Sequence, residues 1–526
     1  MGIIRKSKFG FAPTAAAPST ATVRMVPLTQ GVLGDVPWTD HPPGSSVSMT
    51  NFLPQYGKLV PRSRLSSLNT INVPGNTVLG LQELSQSLTV QPVLWYSGET
   101  VHGTVASNGS VSRASFVSSF GLGVAGIQTK AQWQYAPAYS AVLDANVLLA
   151  VGRSVTGSTD TILVLYNGVS SAPIYSYLTS APKAAAVASF DNYAIAFNIG
   201  NFGTRVQWCQ RGNISNWTGE GSGFEDLLQA RGLGMAAKGT ADGRLILWTD
   251  MEIWYGVTAT YPAQFTFAPL DTTVGCPLPN TITETDLGLV FVGSDLRLRL
   301  LPKGGGVSQV IATSLNPHLV DGTYTEGVPN VSWAVYDART RCYLLYVRPQ
   351  NVARFVGFAV NIDTGEWGFL DHPTFGTGLS PRCGTTVSRN FGRYVGNEGV
   401  MLGTSTGTIC STNSKLATEF GSALTGTWRS APLATELPGN YKQLTRVDCD
   451  YRATSRATVT LKISQDGGNS YGHTAMPLSL VSAPVAGRAS SDVYAGGAFP
   501  CIELTSTDTG FELHRLDVTL NVGGQR

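Results

Sequence analysis

Apolar residues recur along this chain with the period of strands rather than of helices. Residues 161–166 (TILVLY) run into Asn167-Gly168, a pair that accepts the positive φ angles of a tight hairpin. Residues 244–248 follow the turn Ala241-Asp242-Gly243, and Gly288–Val292 leads into Gly293-Ser294-Asp295. Further strand-like runs occupy residues 206–209, 252–257, 264–268, 332–336, 355–362, 400–403 and 408–410, and Cys342–Val347. Strands thus recur about every ten residues, punctuated by Gly, Asn, Asp or Ser. Helical spacing is confined to two short stretches, residues 223–231 and 414–424. In the second, Leu416, Phe420 and Leu424 share a face behind a capping Asn413.

More than 300 residues of short strands without βαβ alternation leave two architectures, serial sandwiches or a propeller. Aromatic, turn-flanked units centre on Trp95, Tyr166, Trp208, Trp248, Phe291, Tyr343 and Trp367. Their spacing, roughly 25 to 70 residues, suits blades of four short strands, although neither a WD nor a kelch signature recurs. After residue 425 the pattern changes to long alternating strands at 444–451, Ala457–Ser464, 501–505 and 513–521, with a long Ser, Ala, Gly and Pro-rich loop before the third. That is the profile of an antiparallel sandwich. The expected fold is therefore all-β, with an extended N-terminal arm (1–34), a β-propeller-like domain (35–425) and a C-terminal β-sandwich-like domain (426–526). Pro37, Pro42, Pro43, Pro54 and Pro61 exclude long regular structure from the first 60 residues.

Composition narrows the class further. The 526 residues are 42% hydrophobic and only 13% charged, against about 25% charged in an ordinary soluble domain. With 59 Gly and 28 Pro, the chain lacks the charge that long solvated helices need and has too many aromatics to be disordered. A formal net charge of +2 is far from the basic balance of a protein that grips many phosphates. No uninterrupted apolar run is long enough to span a membrane; the best candidate, residues 184–199, contains Asp191 and Asn192. The seven cysteines are odd in number, widely spaced and never in a CxxC pair, so they read as buried thiols of a reducing cytosol.

Catalytic constellations are thin. Residues 121–126 match GxGxxG, but residues 127–133 resemble a strand rather than the helix a dinucleotide site needs. Six histidines (His41, His102, His318, His372, His473, His514) show no metal-ligand spacing, and no cofactor or metal is expected. Glu225 with Asp226, or Asp363 with Glu366, offers a carboxylate pair for glycosidic acid/base work, though the second pair reads better as a hairpin turn. Trp208 between Arg205 and Arg211 suits either base stacking or an aromatic core with exposed arginines; the core is the simpler reading. The one sharp motif is Ser464-Gln-Asp466-Gly-Gly468-Asn-Ser470-Tyr471, which fits the S-x-D-x-G-x-x-aromatic hairpin called an Asp box. Its logic is structural: Asp466 accepts bonds from turn amides, Gly468 relaxes the backbone, and Tyr471 packs beneath. Sialidase propellers carry several copies, whereas this chain carries one, in its sandwich-like region.

The order of several short motifs resembles the propeller-containing tail hub, or nozzle, proteins of short-tailed double-stranded DNA phages. Pro37-Trp-Thr-Asp-His-Pro-Pro-Gly44 is followed by Met49-Thr-Asn-Phe-Leu-Pro-Gln-Tyr-Gly57 and Leu59-Val-Pro-Arg62, similar to that family's opening. Arg205-Val-Gln-Trp208 with Trp217, residues 242–248 with Trp254, Leu289-Val-Phe-Val-Gly293 and Gly365-Glu-Trp367 are similar to its successive blades. The likeness covers most of residues 35–520 and has no counterpart for residues 1–34. It implies a non-enzymatic structural virion protein, a homohexameric ring below the head-tail adaptor that retains packaged DNA and conducts it during ejection. Implied partners are other copies of the chain, the adaptor, tail fibre, spike or needle proteins, and genomic double-stranded DNA held weakly and without sequence preference. The implied location is the virion tail, after assembly in the host cytoplasm. The alternative is a propeller tail component that binds glycans or cleaves them in sialidase fashion, for which Arg, Glu, Asp and Tyr must cluster at one propeller mouth.

Overall fold

In the computed structural model the described residues are 19–25, 28, 32 and 45–523, without 69–76, 86–92, 98–100, 107–110, 116–129, 155–159, 168–172, 261–262, 322–330, 349–354, 373–379, 389–398, 415, 434–439 and 473–474. Their strands build seven four-stranded antiparallel blades. Blade one comprises Gly80–Leu84, Val93–Ser97, Val101–Ala106 and Val111–Ser115, and blade two Lys130–Ser140, Ala145–Ser154, Leu163–Asn167 and Pro173–Tyr177. Blade three comprises Ala184–Phe190, Tyr193–Ile199, Phe202–Trp208 and Gly223–Asp226, and blade four Gly234–Gly239, Leu245–Thr249, Ile253–Thr258 and Phe265–Asp271. Blade five is Thr283–Glu284, Gly288–Val292, Leu298–Pro302 and Gln309–Val310; blade six is Trp333–Asp337, Cys342–Val347, Val356–Asn361 and Trp367–Leu370. Blade seven takes Pro381–Thr386, Val400–Thr404 and Ile409–Asn413 from late in the chain and its outer strand, Arg64–Ser67, from the beginning.

That borrowed strand closes the ring, and the first strand of blade seven then packs on the first strand of blade one. Closure leaves the sheets without a pairing edge at the seam. Hydrophobic wedges fill the spaces between neighbouring blades. Trp95 meets Trp133 and Leu148 between blades one and two. Phe197 and Trp208 meet Leu245, Trp254 and Phe265 between three and four. The first strands crowd one another near the axis: a Cβ on Gly384 in blade seven would stand 2.6 Å from the ring of Trp333 in blade six, a contact real side chains do not make.

The propeller expectation is met, and so is the sandwich, but the sandwich recruits more chain than expected. Its outer sheet contains Phe52–Gln55, Lys58–Pro61, Phe511–Val522, Lys442–Ala453 and Ala483–Gly497, and Ser19–Met25 pairs along Phe511–Val522 from Ser19↔Val522 to Met25↔Leu516. Strand Ser19–Met25, expected in an extended arm, is thus part of that sheet, and residues 46–61 belong to the sandwich rather than to the propeller. The reason is apolar burial: Met25, Leu28, Met49, Phe52 and Leu59 share one core with Leu444, Val447, Leu513 and Leu520. The prolines are compatible because both strands are only four residues long, Pro54 lies in the edge strand and Pro61 is the last residue of the next one.

The second sandwich sheet runs Ser46–Thr50, Gly426–Ser430, Cys501–Ser506, Ala457–Ser464 and Met476–Leu480. It is continuous with blade six through a parallel contact, Thr50↔Phe369, so one nine-stranded sheet passes from propeller to sandwich. Other sequence readings are corrected here. Residues 223–231 hold a strand, Gly223–Asp226, and residues 414–424 hold the hairpin Thr418–Glu419 and Ser422–Ala423, turned by Phe420 and Gly421 at φ 48° and 82°. The long loop before residue 501 contains Met476–Leu480 and Ala483–Gly497. A short helix, Asn316–Asp321, was not foreseen. Residues 121–126 lie outside the described residues. Among the described residues no helix is long and apolar enough to cross a membrane.

Candidate functional site

The seven first strands enclose an axial cavity of about 490 Å³. A strand at the edge of its sheet leaves half its backbone N–H and C=O groups unpaired, and here those groups face the axis. The lining adds Gln82, Gln134, Asn280 and Thr385, and its charged members are Lys238 and Glu284. These two are 3.5 Å apart, at the ends of the first strands of blades four and five. Burial lowers the Lys238 pKa, and Glu284 opposes that shift without reversing it. The cavity presents amides, hydroxyls and one compensated ion pair, a surface for water or a small polar molecule.

A second polar cluster lies where turns of blades five and six meet the sandwich hairpin of residues 52–61. Arg341, in the first turn of blade six, has positive φ at 55° and spreads its guanidinium between two carboxylates. It donates to Asp363, at 2.8 Å through Nη2 and again through Nε, and at 2.6 Å to Asp286. Tyr56 donates to Asp363 at 3.0 Å, and Tyr336 to Asp286 at 3.1 Å. The Arg341 hydrogen bonds hold the Asp363 carboxyl below the usual range. Asp363 sits in the hairpin turn between Val356–Asn361 and Trp367–Leu370, as expected for residues 363–366. Glu225 and Asp226 are neighbours on one strand, whose side chains point to opposite faces; Asp226 is taken by Arg205 at 2.7 Å to each oxygen. Trp208 is core, 4.9 Å from Phe265 edge to face, and Arg211 pairs with Asp191 at 2.5 Å.

The third cluster is wholly internal. Arg62, which follows the sandwich strand Lys58–Pro61, donates to Glu419 at 2.7 and 3.0 Å and to Asn51 at 3.0 Å. His372, just past blade six, has Nδ1 within 3.0 Å of both Arg62 and Glu419, and Nε2 3.1 Å from the Tyr346 hydroxyl. Glu419 also accepts the backbone N–H of Leu65, in the ring-closing strand Arg64–Ser67. Exposure is 4% for Arg62, 2% for His372 and 0% for Glu419. Burial, and then the Arg62 charge, lower the His372 pKa to about 4. Burial pushes the Glu419 carboxyl up, but Arg62 and His372 together carry it well below its ordinary value. This network ties propeller to sandwich, and no spacing signal announces it, because Arg62 and Glu419 are 357 positions apart.

The Asp-box residues lie in the loop between Ala457–Ser464 and Met476–Leu480. Ser464 donates to Asp466 at 2.6 Å, and Asp466 accepts the Ser470 N–H at 2.9 Å and its hydroxyl at 2.7 Å. Gly467 and Gly468 have φ of 76° and 94°. These bonds, led by Ser464, hold Asp466 below the usual carboxylate range. Tyr471 is half-buried under the Arg429 guanidinium, 5.0 Å from its ring centre. The loop is on the sandwich, away from the propeller axis. All seven cysteines are buried and none forms a disulfide, and burial raises each pKa that shifts, as for Cys342 to about 12. Among the described residues no three His, Cys, Asp or Glu side chains stand close enough to hold a metal.

No family model matches the chain, and no curated protein matches it. Solved structures that resemble it include a streptogramin B lyase, at 12% identity over 67% of this chain and 98% of that one, with a TM-score of 0.38. YCF48 from Cyanidioschyzon merolae aligns at 10% identity over 67% of this chain and 100% of its own, with a TM-score of 0.39. The exo-β-1,3-galactanase of Phanerochaete chrysosporium aligns at 10% identity over 84% and 96%, with a TM-score of 0.30.

Proposed function

We propose that this chain is a structural ring subunit, the nozzle or hub of a short phage tail. The observation that carries the reading is the weld between its two halves. One nine-stranded sheet and the buried Arg62–Glu419–His372 network make propeller and sandwich a single stiff body, with early chain woven into both. A subunit that transmits force around a ring and holds back packaged DNA needs that stiffness, whereas a catalyst needs a site. The axial cavity of about 490 Å³ has no room for a duplex whose major groove alone is ~12 Å wide, so DNA would pass between subunits and not through a propeller. Sparse charge on the chain suits a polyanion that must slide.

The glycan-cleaving reading is favoured by one observation, the gathering of Arg341, Asp286, Asp363, Tyr336 and Tyr56 near a propeller face. It is weakened by the same geometry. A glycosidic general acid needs a raised pKa, and Asp363 is held down by Arg341. Negative-stain microscopy and light scattering of the purified chain test the proposal: sixfold rings with a central hole are expected, and a strictly monomeric particle at all concentrations overturns it. Turnover of sialylated and neutral glycans would revive the alternative.

A further inference from the structure

Two exposed surfaces stand out, and they lie on opposite sides of the molecule. At the rim of blades three and four, Phe202, Phe224, Leu228, Leu233 and Met251 are 52%, 55%, 90%, 58% and 53% exposed. Arg205 is wedged between two of these rings, 3.7 Å from the centre of Phe202 and 4.3 Å from that of Phe224, and its forked bond to Asp226 fixes the stack. An arginine held between aromatics, with a methionine and leucines around it, has the composition of an interface centre. The rim around it is acidic, with Glu220 and Glu225 exposed, while Arg231 is drawn to Glu252.

The other surface is the free margin of the sandwich. Ala483–Gly497 is a fifteen-residue strand that, among the described residues, pairs along one side only, with Lys442–Ala453. An edge this long is a template for another chain unless something covers it. Near the start of this strand Val481 and Val485 are 59% and 75% exposed, with Arg452 and Arg456 exposed beside them; Arg488 is shared among Asp448, Asp450 and Asp517, and Tyr494, 76% exposed, lies toward the other end beside the exposed Asp492. The end of the margin at Val485, where Arg24, Arg452, Arg488 and Arg515 gather around Asp450, is apolar with an excess of arginine, the complement of the blade-three rim. The sandwich is rooted on blades six and seven, and blade three lies three blades away in a ring of seven, nearly diametrically opposite.

We propose that the blade-three rim docks on the sandwich margin of a second copy of this chain. The two surfaces differ, so the contact is head-to-tail, the kind that closes into a ring when its rotation permits. The inference rests on the ring reading above and names the faces that make the ring. Leu228→Asp and Val485→Asp each place a charge in one face, at side chains so exposed that unchanged circular dichroism and melting are expected. Sedimentation velocity and negative stain should show rings for the natural chain and monomers for either variant alone. An equimolar mixture retains one competent face on each variant and should give heterodimers that cannot close. Rings that persist in both variants would overturn these faces and leave the ring reading standing. Melting below the natural chain would be answered by Leu228→Ser and Val485→Ser, which must still weaken assembly at least tenfold. A natural chain that is monomeric throughout would overturn both.

Discussion

Arginine does opposite work at the two ends of this molecule. At the junction, Arg62 is buried, with its donors spent on Glu419, Asn51, His372 and backbone carbonyls. At the blade-three rim, Arg205 is also fully engaged, but its partners Phe202 and Phe224 keep more than half their surface in water. The first arrangement holds two domains in register; the second stiffens a surface and leaves it open. A buried pair is costly to break because the survivor stays charged in a poor solvent, while an exposed pair is screened. Stability measurements should therefore separate the two regions sharply.

The largest effect is expected at the junction. Glu419→Ala leaves Arg62 without its counter-charge and Leu65 without its acceptor, and should cost about 3–5 kcal/mol in urea unfolding. A loss below about 1 kcal/mol would mean the junction does not hold the halves together. Acid should act on the same place. The His372 pKa is lowered to about 4 in the folded chain from 6.5, so the unfolded state binds the extra proton between those values. The stability from neutral His372 is complete above pH 6.5 and is lost as pH falls toward 4, by up to about 3 kcal/mol at 1.4 kcal/mol per pKa unit. Glu419, lowered below its ordinary value, adds a further loss at still lower pH. His372→Phe should flatten the slope of stability between pH 6.5 and 4, and an unchanged slope would remove His372 as its source.

Legibility in the sequence tracks the range of the interactions that build each part. Cys342–Val347 and Gly288–Val292 announce themselves because a strand buried on both faces is apolar at every position. Of the seven aromatic centres, Tyr343 and Trp367 both fall in blade six, and blade seven has none. Blade seven escapes the pattern because its strands are Thr, Gly and Ser-rich and its fourth comes from the other end of the chain. The helical spacing of Leu416, Phe420 and Leu424 misleads for a tertiary reason: Glu419 must reach Arg62 and Leu65, and a tight turn at Phe420 and Gly421 puts it there. The Asp-box loop is legible because its bonds span only a few residues, and the junction is not, because its members converge from Asn51, Arg62, His372 and Glu419.

Local and long-range polar clusters should accordingly differ in cost. Asp466→Ala removes an acceptor for Ser464 and for both Ser470 donors, but in an exposed loop where water replaces them, so urea unfolding should show well under half of the Glu419→Ala loss. Loss of the whole sandwich transition would show instead that this loop nucleates the domain.

The smallest stability effect belongs to the rim, and it sharpens the comparison most. Arg205→Ala breaks a forked ion pair and two ring contacts, yet its surroundings are wet, so unfolding free energy should change by no more than about 1 kcal/mol. Phe202 and Phe224 then lose the side chain that holds them in place. If the rim were only a tolerated patch of exposed apolar surface, Arg205→Ala would leave association untouched as well. If the stack is organised for docking, the substitution should shift the ring-to-monomer midpoint by at least tenfold in concentration while melting stays nearly constant. The sign of that dissociation between folding and assembly, read on one variant, distinguishes an arginine that stabilises the fold from one that prepares a surface.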